Sequence, residues 1–410
     1  MYIKDLTIKE FYDCAKKSDL FSYMQTKEYA RLMAERGFSY DYVGLVKDDK
    51  IIATSLILWK KILYNIKYGY APKGFLVNYY DDDILEDFTK LIKKYYKRKN
   101  FAFIKINPEI VIGGIDINDL TFYSNPNASL VSKLVSLDYK KLKNNLYFES
   151  QVPRFEAYID LKNTSLSEYN KPTRNKVRNS IRKGLYLEKF DIDKIDEISH
   201  MLINKNTNEY RKKYSIFIEN NSIDFFVVRV NFEQLIRNSE KLYEEEVDKN
   251  YLYNEIIHRS NKKNDINTKM SSDAKISTLK EEIKFATTHM NNNNHVIVAY
   301  AVVIKEQNRV LIVESNFDRN YPLNQNYFLV NSLINEYKDD YSFLSLGPIS
   351  GDFKKTSPYY NLNRFKMGFN PSIYEFIGEF DLIINKYMYN YLLKSGRLAK
   401  ELNKKNINEN

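Results

Sequence analysis

Lys366 lies in "RFKMGFNPSIY" (Arg364–Tyr374), between Phe365 and Met367 and two residues ahead of Gly368. A cation with apolar neighbours has two readings. Either its stem lies along a half-buried strand while the charge stays in water, or it is a desolvated ammonium placed to meet a developing negative charge. The stretch predicts a strand with Lys366 pointing to one side. Gly347, Gly351 and Gly368 punctuate "SLGPISGDF" and "RFKMGF" where backbone must turn or approach something closely. A second set is basic. Lys171, Arg174, Arg178 and Arg182 recur every three or four residues in "KPTRNKVRNSIRKG", so one helix face would carry four cations able to grip phosphates. A solvated helix face has the same pattern. Arg211, beside Tyr210 and close to Tyr214, has the donors for a phosphate or a nucleobase. In a chain with 35 tyrosines, such neighbours also arise by chance.

Other chemistries are excluded or disfavoured. Cys14 is the only cysteine, which rules out an internal disulfide and a cysteine-ligated metal. His200, His258, His289 and His295 are scattered without ligand spacing, so no metal site is expected. No GxGxxG, GxxxxGK[ST] or GxSxG occurs. Gly113–Gly114 reads as a turn, and no glycine-rich turn able to cradle the pyrophosphate of CoA is present.

The elements that would position these residues are legible from periodicity. A chain of 410 residues suggests about two domains, and 43% hydrophobic with 28% charged residues is a globular composition. The net charge of +10 suggests an anionic partner. It also follows from heavy use of Lys, Asn, Ile and Tyr throughout. The N-terminus does not read as a signal peptide. The longest apolar run, His295–Ile304, falls short of the roughly 20 residues needed to span a bilayer. A soluble, cytoplasmic protein is expected.

In the first third, "TIKEFYDCAKK" and "TKEYARLMAERG" read as helices. "YDYVGLVKDDKIIATSLILWKKI" reads as two strands about a "KDDK" turn, followed by a helix over 83–97 and a central strand "FAFIKINPEIVI" stopping at Pro108. A second unit opens with the strand "RFEAYIDL". Ser165 and Glu168 have capping-box spacing, and Pro172 suits the first turn of the basic helix. The strand–turn–strand, helix, strand order recurs at "HVIVAYAVVIKEQNRVLIVESNF", "YFLVNSLINEY" and "YSFLSLGPIS". Between these pieces, 231–290 is charged and free of Gly and Pro. Ile276, Leu279, Ile283 and Ala286 form one seam, and Leu235, Leu242 and Val247 a looser one. Two antiparallel helices about a "NKKNDINTKMSSD" turn are expected, either projecting as a coiled-coil arm or lying flat on the body.

Several segments occur in one order that resembles the Fem-type (FemABX) aminoacyltransferases of peptidoglycan bridge synthesis: "YMQTKEYARLMAERG", "YAPKGFLVNYYD", "FAFIKINPEI", "PTRNKVRNSIRKGLYLE", "LGPISGDF" and "FKMGFNPSIYEFIGEFDLIINKYMY". The resemblance spans nearly the whole chain, and its last segment is the most specific. It implies an α/β (α+β) fold of two tandem GNAT-like acyltransferase domains with an inserted antiparallel coiled-coil hairpin. The divisions expected are 1–154 for the first domain, 155–230 with 291–385 for the second, 231–290 for the hairpin, and 386–410 for a C-terminal helix and tail.

The function implied is transfer of an amino acid from aminoacyl-tRNA, as co-substrate and without other cofactor, to a stem-peptide amine. The acceptor would be a lipid-linked (lipid II) or UDP-linked (UDP-muramoyl-pentapeptide) peptidoglycan precursor, met at the inner face of the membrane through peripheral contact. On this resemblance Lys366 stabilises the tetrahedral intermediate. Phe365, Arg211, Tyr214, Arg31, Lys73, Asn107, Ser350 and Gly351 contact substrate, and Lys171, Arg174, Arg178 and Arg182 contact tRNA phosphates. With no His or carboxylate base standing out, transfer assisted by a tRNA hydroxyl or phosphate is the matching mechanism. The chain departs from the family at Lys73-Gly74-Phe75 (commonly Arg-Gly-Pro), at Asn107-Pro108 (Asp-Pro), at Met33 (a lysine in some members), in "VESNFD" and at Asn331 (often Trp). These departures favour, as an alternative, a homologue that binds tRNA or muropeptide without catalysis. A CoA-dependent N-acyltransferase is the third reading, opposed by the missing pyrophosphate loop.

Overall fold

The computed structural model of the protein describes residues 1–63, 65–143, 153–260, 262–290 and 293–396. Two mixed sheets carry the chain. The first has seven strands in the order Tyr2–Asp5, Ser39–Lys47, Lys50–Leu63, Ile66–Ala71, Phe101–Ile106, Phe380–Ile383 and Tyr139–Lys141. The second has nine, Leu185–Lys189, Ile223–Asn231, His295–Lys305, Arg309–Phe317, Phe343–Pro348, Phe155–Asp160, Ser372–Phe376, Val111–Ile115 and Phe122–Ser124. Every pairing is antiparallel except one in each sheet, Ile66–Ala71 with Phe101–Ile106 and Arg309–Phe317 with Phe343–Pro348. A parallel pair needs a crossover, and the helices Asp82–Lys97 and Gln325–Tyr337 supply it. This repeated order of three antiparallel strands, a helix and a parallel strand makes the two halves tandem GNAT-like units.

Local chemistry sets the elements where periodicity placed them. Thr7 caps Ile8–Ala15 in a full capping box with Glu10, and Asp81 caps Asp82–Lys97. Asp48 and Asp49, both at positive φ, close the first hairpin. Three readings need correction. Ser165 and Glu168 form a turn, and Asn170 caps the basic helix Lys171–Arg182. Gly113–Gly114 lie inside a strand, where a Cβ at Gly113 would meet the Tyr123 carbonyl oxygen at 2.1 Å, so they pack the sheet instead of turning it. The stretch around Lys366 is the helix Tyr360–Met367.

The sequence boundaries do not separate the sheets. The central strand ends ahead of Pro108 as expected, and the chain changes sheet there: Phe101–Ile106 stays in the first sheet, while Val111–Ile115 and Phe122–Ser124 join the second. In return Phe380–Ile383, expected with the second half, pairs with Phe101–Ile106 in the first. A buried charge cluster holds this exchange. Lys105 Nζ lies 3.1 Å from Asp381 and 3.6 Å from Glu379, all three almost fully enclosed, and Tyr389 donates to Asp381 at 2.9 Å.

The inserted hairpin comprises Phe232–Ser260 and Lys263–Met290, so its turn is shorter than the thirteen-residue stretch expected. Leu235, Leu279 and Ala286 are buried at the base. The looser seam shifts by one residue. Val247 is exposed and Glu246 takes the inward place, accepting from Ser272 at 2.7 Å and Lys275 at 2.6 Å. Of the described residues from 247 to 271 none is buried, so the hairpin projects as an arm.

Replacing Lys105 with Met is expected to cost about 3–5 kcal/mol, because it leaves two enclosed carboxylates without their cation. The midpoint of urea denaturation against wild type measures this.

Candidate functional site

One face of the second sheet packs against the first half. Tyr23, Tyr29 and Leu32 from the first half join Tyr210, Tyr214, Phe217 and Tyr300 in a shared core. Alternation along Phe155–Asp160 puts Glu156 and Tyr158 on the same face. Here the halves are joined by charge. Glu109 receives Lys73 of the first half at 3.0 Å and Arg309 of the second at 2.5 Å. Arg309 also donates to Glu306 at 2.6 Å, and Glu306 accepts from Ser22 Oγ at 2.9 Å and the Tyr23 amide at 2.8 Å. Although burial opposes ionisation, the two cations hold the Glu109 carboxyl down at about 2. Lys73, at positive φ, donates its backbone N–H to Asn107 Oδ1 at 2.9 Å, so the "PKG" turn is locked to the "NPE" turn.

A cleft of about 280 Å³ opens beside this junction, lined among others by Phe21, Glu109, Tyr158, Arg309 and Tyr374. Lys366 does not line it. The connection runs through side chains: Arg309 to the Tyr158 hydroxyl (3.4 Å), and Tyr158 to Glu156 (3.1 Å).

Lys366 occupies the last turn of Tyr360–Met367. It is 7% exposed, and its Nζ donates to the Pro348 carbonyl at 2.6 Å. It sits where the parallel strands part: they pair only from Arg309–Phe343 to Leu311–Ser345, and Gly347 follows at φ +76°. The Gly347 Cβ position is 3.7 Å from Nζ, so a side chain there would crowd the ammonium. Burial pulls the lysine down to about 8, and the nearby Glu156 carboxylate opposes that shift. Glu156, itself buried, accepts from Tyr158 and, at 3.4 Å, from Ser345 Oγ. Ser350 and the following loop are tied to the helix by Asn363, whose amide donates to the Ser350 carbonyl at 2.8 Å and accepts from the Ser350 N–H at 3.0 Å. Gly351 is buried in the same loop. Gly368 lets the end of this helix meet the basic helix, since a Cβ there would fall 2.1 Å from Thr173 Oγ1.

The remaining expected residues scatter. Phe365 packs on Tyr327 and Phe369 in an aromatic cluster. Tyr214 donates to Glu314 at 3.2 Å, joined there by Tyr300 at 2.6 Å and by Tyr210, and burial raises all three phenols. Arg211 is bound to the Asp196 carboxylate and the Asp193 carbonyl, so its guanidinium is already engaged. Arg31 makes only an exposed 3.7 Å pair with Glu219. Along the basic helix, Lys171 and Arg178 are exposed and Arg174 donates to the Ser167 carbonyl at 3.0 Å. Arg182 does not face solvent with them: it pairs with Glu282 of the arm at 2.8 Å. Met33 is buried in the core of the first half, and Asn331 accepts from the Tyr169 hydroxyl at 3.2 Å. Sequence reasoning missed Glu156, Glu109, Arg309, Glu314 and Asn363. Glu156 alone had a signal, as an acid at an inward position of an otherwise apolar strand.

The sequence pattern of the FemAB family matches residues 6–394. The chain belongs to the FemAB family. Similar curated proteins include aminoacyltransferase FemB of Staphylococcus epidermidis, 25% identical with 98% of this chain and 100% of that protein covered. FemA of the same species is 21% identical over the same shares. The lipid II:glycine glycyltransferase of Staphylococcus saprophyticus is 21% identical, covering 95% and 94%. A crystal structure of FemX superposes with a TM-score of 0.73 over 96% of this chain and 100% of that one, at 17% identity, so the fold is shared.

Glu109→Gln is expected to cost about 3–5 kcal/mol by stranding Lys73 and Arg309. The sign with pH follows from its depressed carboxyl. Its contribution is present above about 4.5 and is lost as pH falls toward about 2. Denaturant titrations across that window should show wild-type stability falling more steeply than that of the variant.

Proposed function

We propose that this FemAB-family transferase moves an aminoacyl group from tRNA to the stem-peptide amine of a lipid-linked or UDP-linked peptidoglycan precursor. The observation that carries this reading is the desolvated Lys366 ammonium at the parting of the two parallel strands. Attack of the amine on the ester carbonyl forms the new C–N bond and puts negative charge on the carbonyl oxygen. A cation in a site of low dielectric stabilises that charge far more than one in water. Collapse breaks the ester C–O bond, and the amine proton leaves with the tRNA hydroxyl, directly or through a neighbouring phosphate.

Lys366 is already oriented by the Pro348 carbonyl, one partner of its three N–H bonds, which leaves donors for the oxyanion. Glu156 is a positioning residue here: its carboxylate keeps Lys366 protonated against the pull of burial. The cleft beside Glu109 and Tyr158 offers a polar and aromatic wall for the acceptor. Lys171 and Arg178 are exposed on the helix that touches Gly368, and in this reading they meet the phosphates of the polyanionic donor.

The test is transfer of radiolabelled amino acids from a charged tRNA pool to each class of muropeptide. Lys366→Met should lower transfer by at least a hundredfold while the melting temperature holds or rises, since a costly buried charge is removed. Undiminished transfer overturns the assignment. Absent transfer by folded wild type that still binds tRNA would instead make the chain a binding homologue, and transfer from acetyl-CoA would make it an N-acyltransferase. Transfer should also fall as pH rises through about 8, where Lys366 loses its proton. Glu156→Gln should move that fall to lower pH, while the titration of the acceptor amine is common to both proteins.

A further inference from the structure

The projecting arm carries apolar side chains that neither its own seam nor the body covers. Val247 is 38% exposed, Tyr251 66%, Leu252 56%, Ile256 43%, Ile266 37% and Met270 64%. The two helices run antiparallel, with Glu246 against Ser272 and Lys275, and Asn250 against Ser272 and Asp273. That register sets Leu252 beside the level of Met270 and Ile256 beside that of Ile266, so all six lie in the outer half of the arm. Toward the turn the sequence supplies Arg259, Lys262 and Lys263 with no acid between Ile256 and Asn264. At 1.5 Å per residue the 29-residue first helix places this apex roughly 40 Å from its base.

We propose that the outer half of the arm is a peripheral membrane anchor that docks on an anionic lipid surface. Aliphatic side chains and a tyrosine at the end of a helical element, with cations gathered at the same end, match the apolar boundary and charged headgroups of a bilayer. Charge complementarity selects the anionic surface. A nucleic acid would satisfy the cations and could stack on Tyr251, but it offers nothing to Leu252, Ile256, Ile266 and Met270. No helix among the described residues is long and apolar enough to cross a membrane, so the contact is at the interface. Anchoring would hold the enzyme on the surface that presents a lipid-linked acceptor. The docking itself does not depend on the transfer reaction.

The experiment is co-sedimentation of the full chain with vesicles of phosphatidylcholine alone or with one third phosphatidylglycerol. Wild type should bind the anionic vesicles and release them at high salt. The triple variant Leu252→Ser, Ile256→Ser, Met270→Ser changes only exposed positions and should bind at least tenfold more weakly. Arg259→Gln with Lys262→Gln and Lys263→Gln should abolish the preference for anionic lipid. Transfer to a UDP-linked acceptor, or binding of tRNA if transfer fails, should be unchanged in the serine variant, which separates this inference from the proposed reaction. Equal vesicle binding by wild type and serine variant overturns it. So does a loss of tRNA affinity in that variant, which would make the arm an RNA surface, or a change in wild-type mass by light scattering, which would make it a contact between copies.

Discussion

The arrangement of the whole molecule depends on one buried carboxylate. Glu109 stands just past the proline where the chain leaves the first sheet for the second, and it is gripped by Lys73 from one half and Arg309 from the other. A charge enclosed this far must be paired, or it becomes neutral at a large cost. Here the pairing has a geometric consequence. It fixes the "PKG" turn, the crossing at Pro108 and the start of the strand that later parts from its parallel neighbour. The Arg309–Tyr158–Glu156 path then carries that fixed geometry toward Lys366.

The parting of the two parallel strands creates the space that Lys366 fills. Parallel strands otherwise pair along their length, yet here the ladder ends at Leu311–Ser345 and Gly347 turns away at positive φ. Reaching this gap takes a helix whose final turn is pinned at both ends, by Asn363 on the Ser350 loop and by the close approach of Gly368 to Thr173. The lysine is thus held by backbone and amide contacts. None of the ion pairs described includes it, which leaves its charge available.

Much of this was legible in the sequence where local rules govern. Capping residues, turn residues and apolar spacing placed most of the helices, the hairpin strands 39–63 and 295–317 and both crossover helices near their observed bounds, while Ile223–Asn231 and Thr207–Ile218 went unread. Lys366 was found by its setting, although in the wrong element: "NRFKMG" alternates well enough to read as a strand, whereas its contacts as a helix are with the distant Ser350 loop and the basic helix. The exchange of strands between sheets left no local trace. Phe380–Ile383 looks the same whichever sheet it joins, and Lys105 is far in sequence from Glu379 and Asp381. Glu109 and Arg309 were invisible for the same reason, since each is one charged residue at the start of an apolar run until the fold brings them together.

The excess of positive charge is less of a binding surface than composition suggests. Arg182 and Lys183 are committed to Glu282, where they root the arm. Arg211 is committed to Asp196, and Lys73 and Arg309 to Glu109. A charge count alone cannot distinguish such cations from free ones, because a paired arginine and a solvated one contribute equally to +10. What separates them is whether a carboxylate from a distant part of the chain reaches the same point. On the basic helix that test leaves Lys171, Arg174, Lys176 and Arg178, and on the arm it leaves the cluster at the apex. These cations stand in two separate places, one on the basic helix and one at the apex of the arm. A single continuous basic face does not describe the molecule.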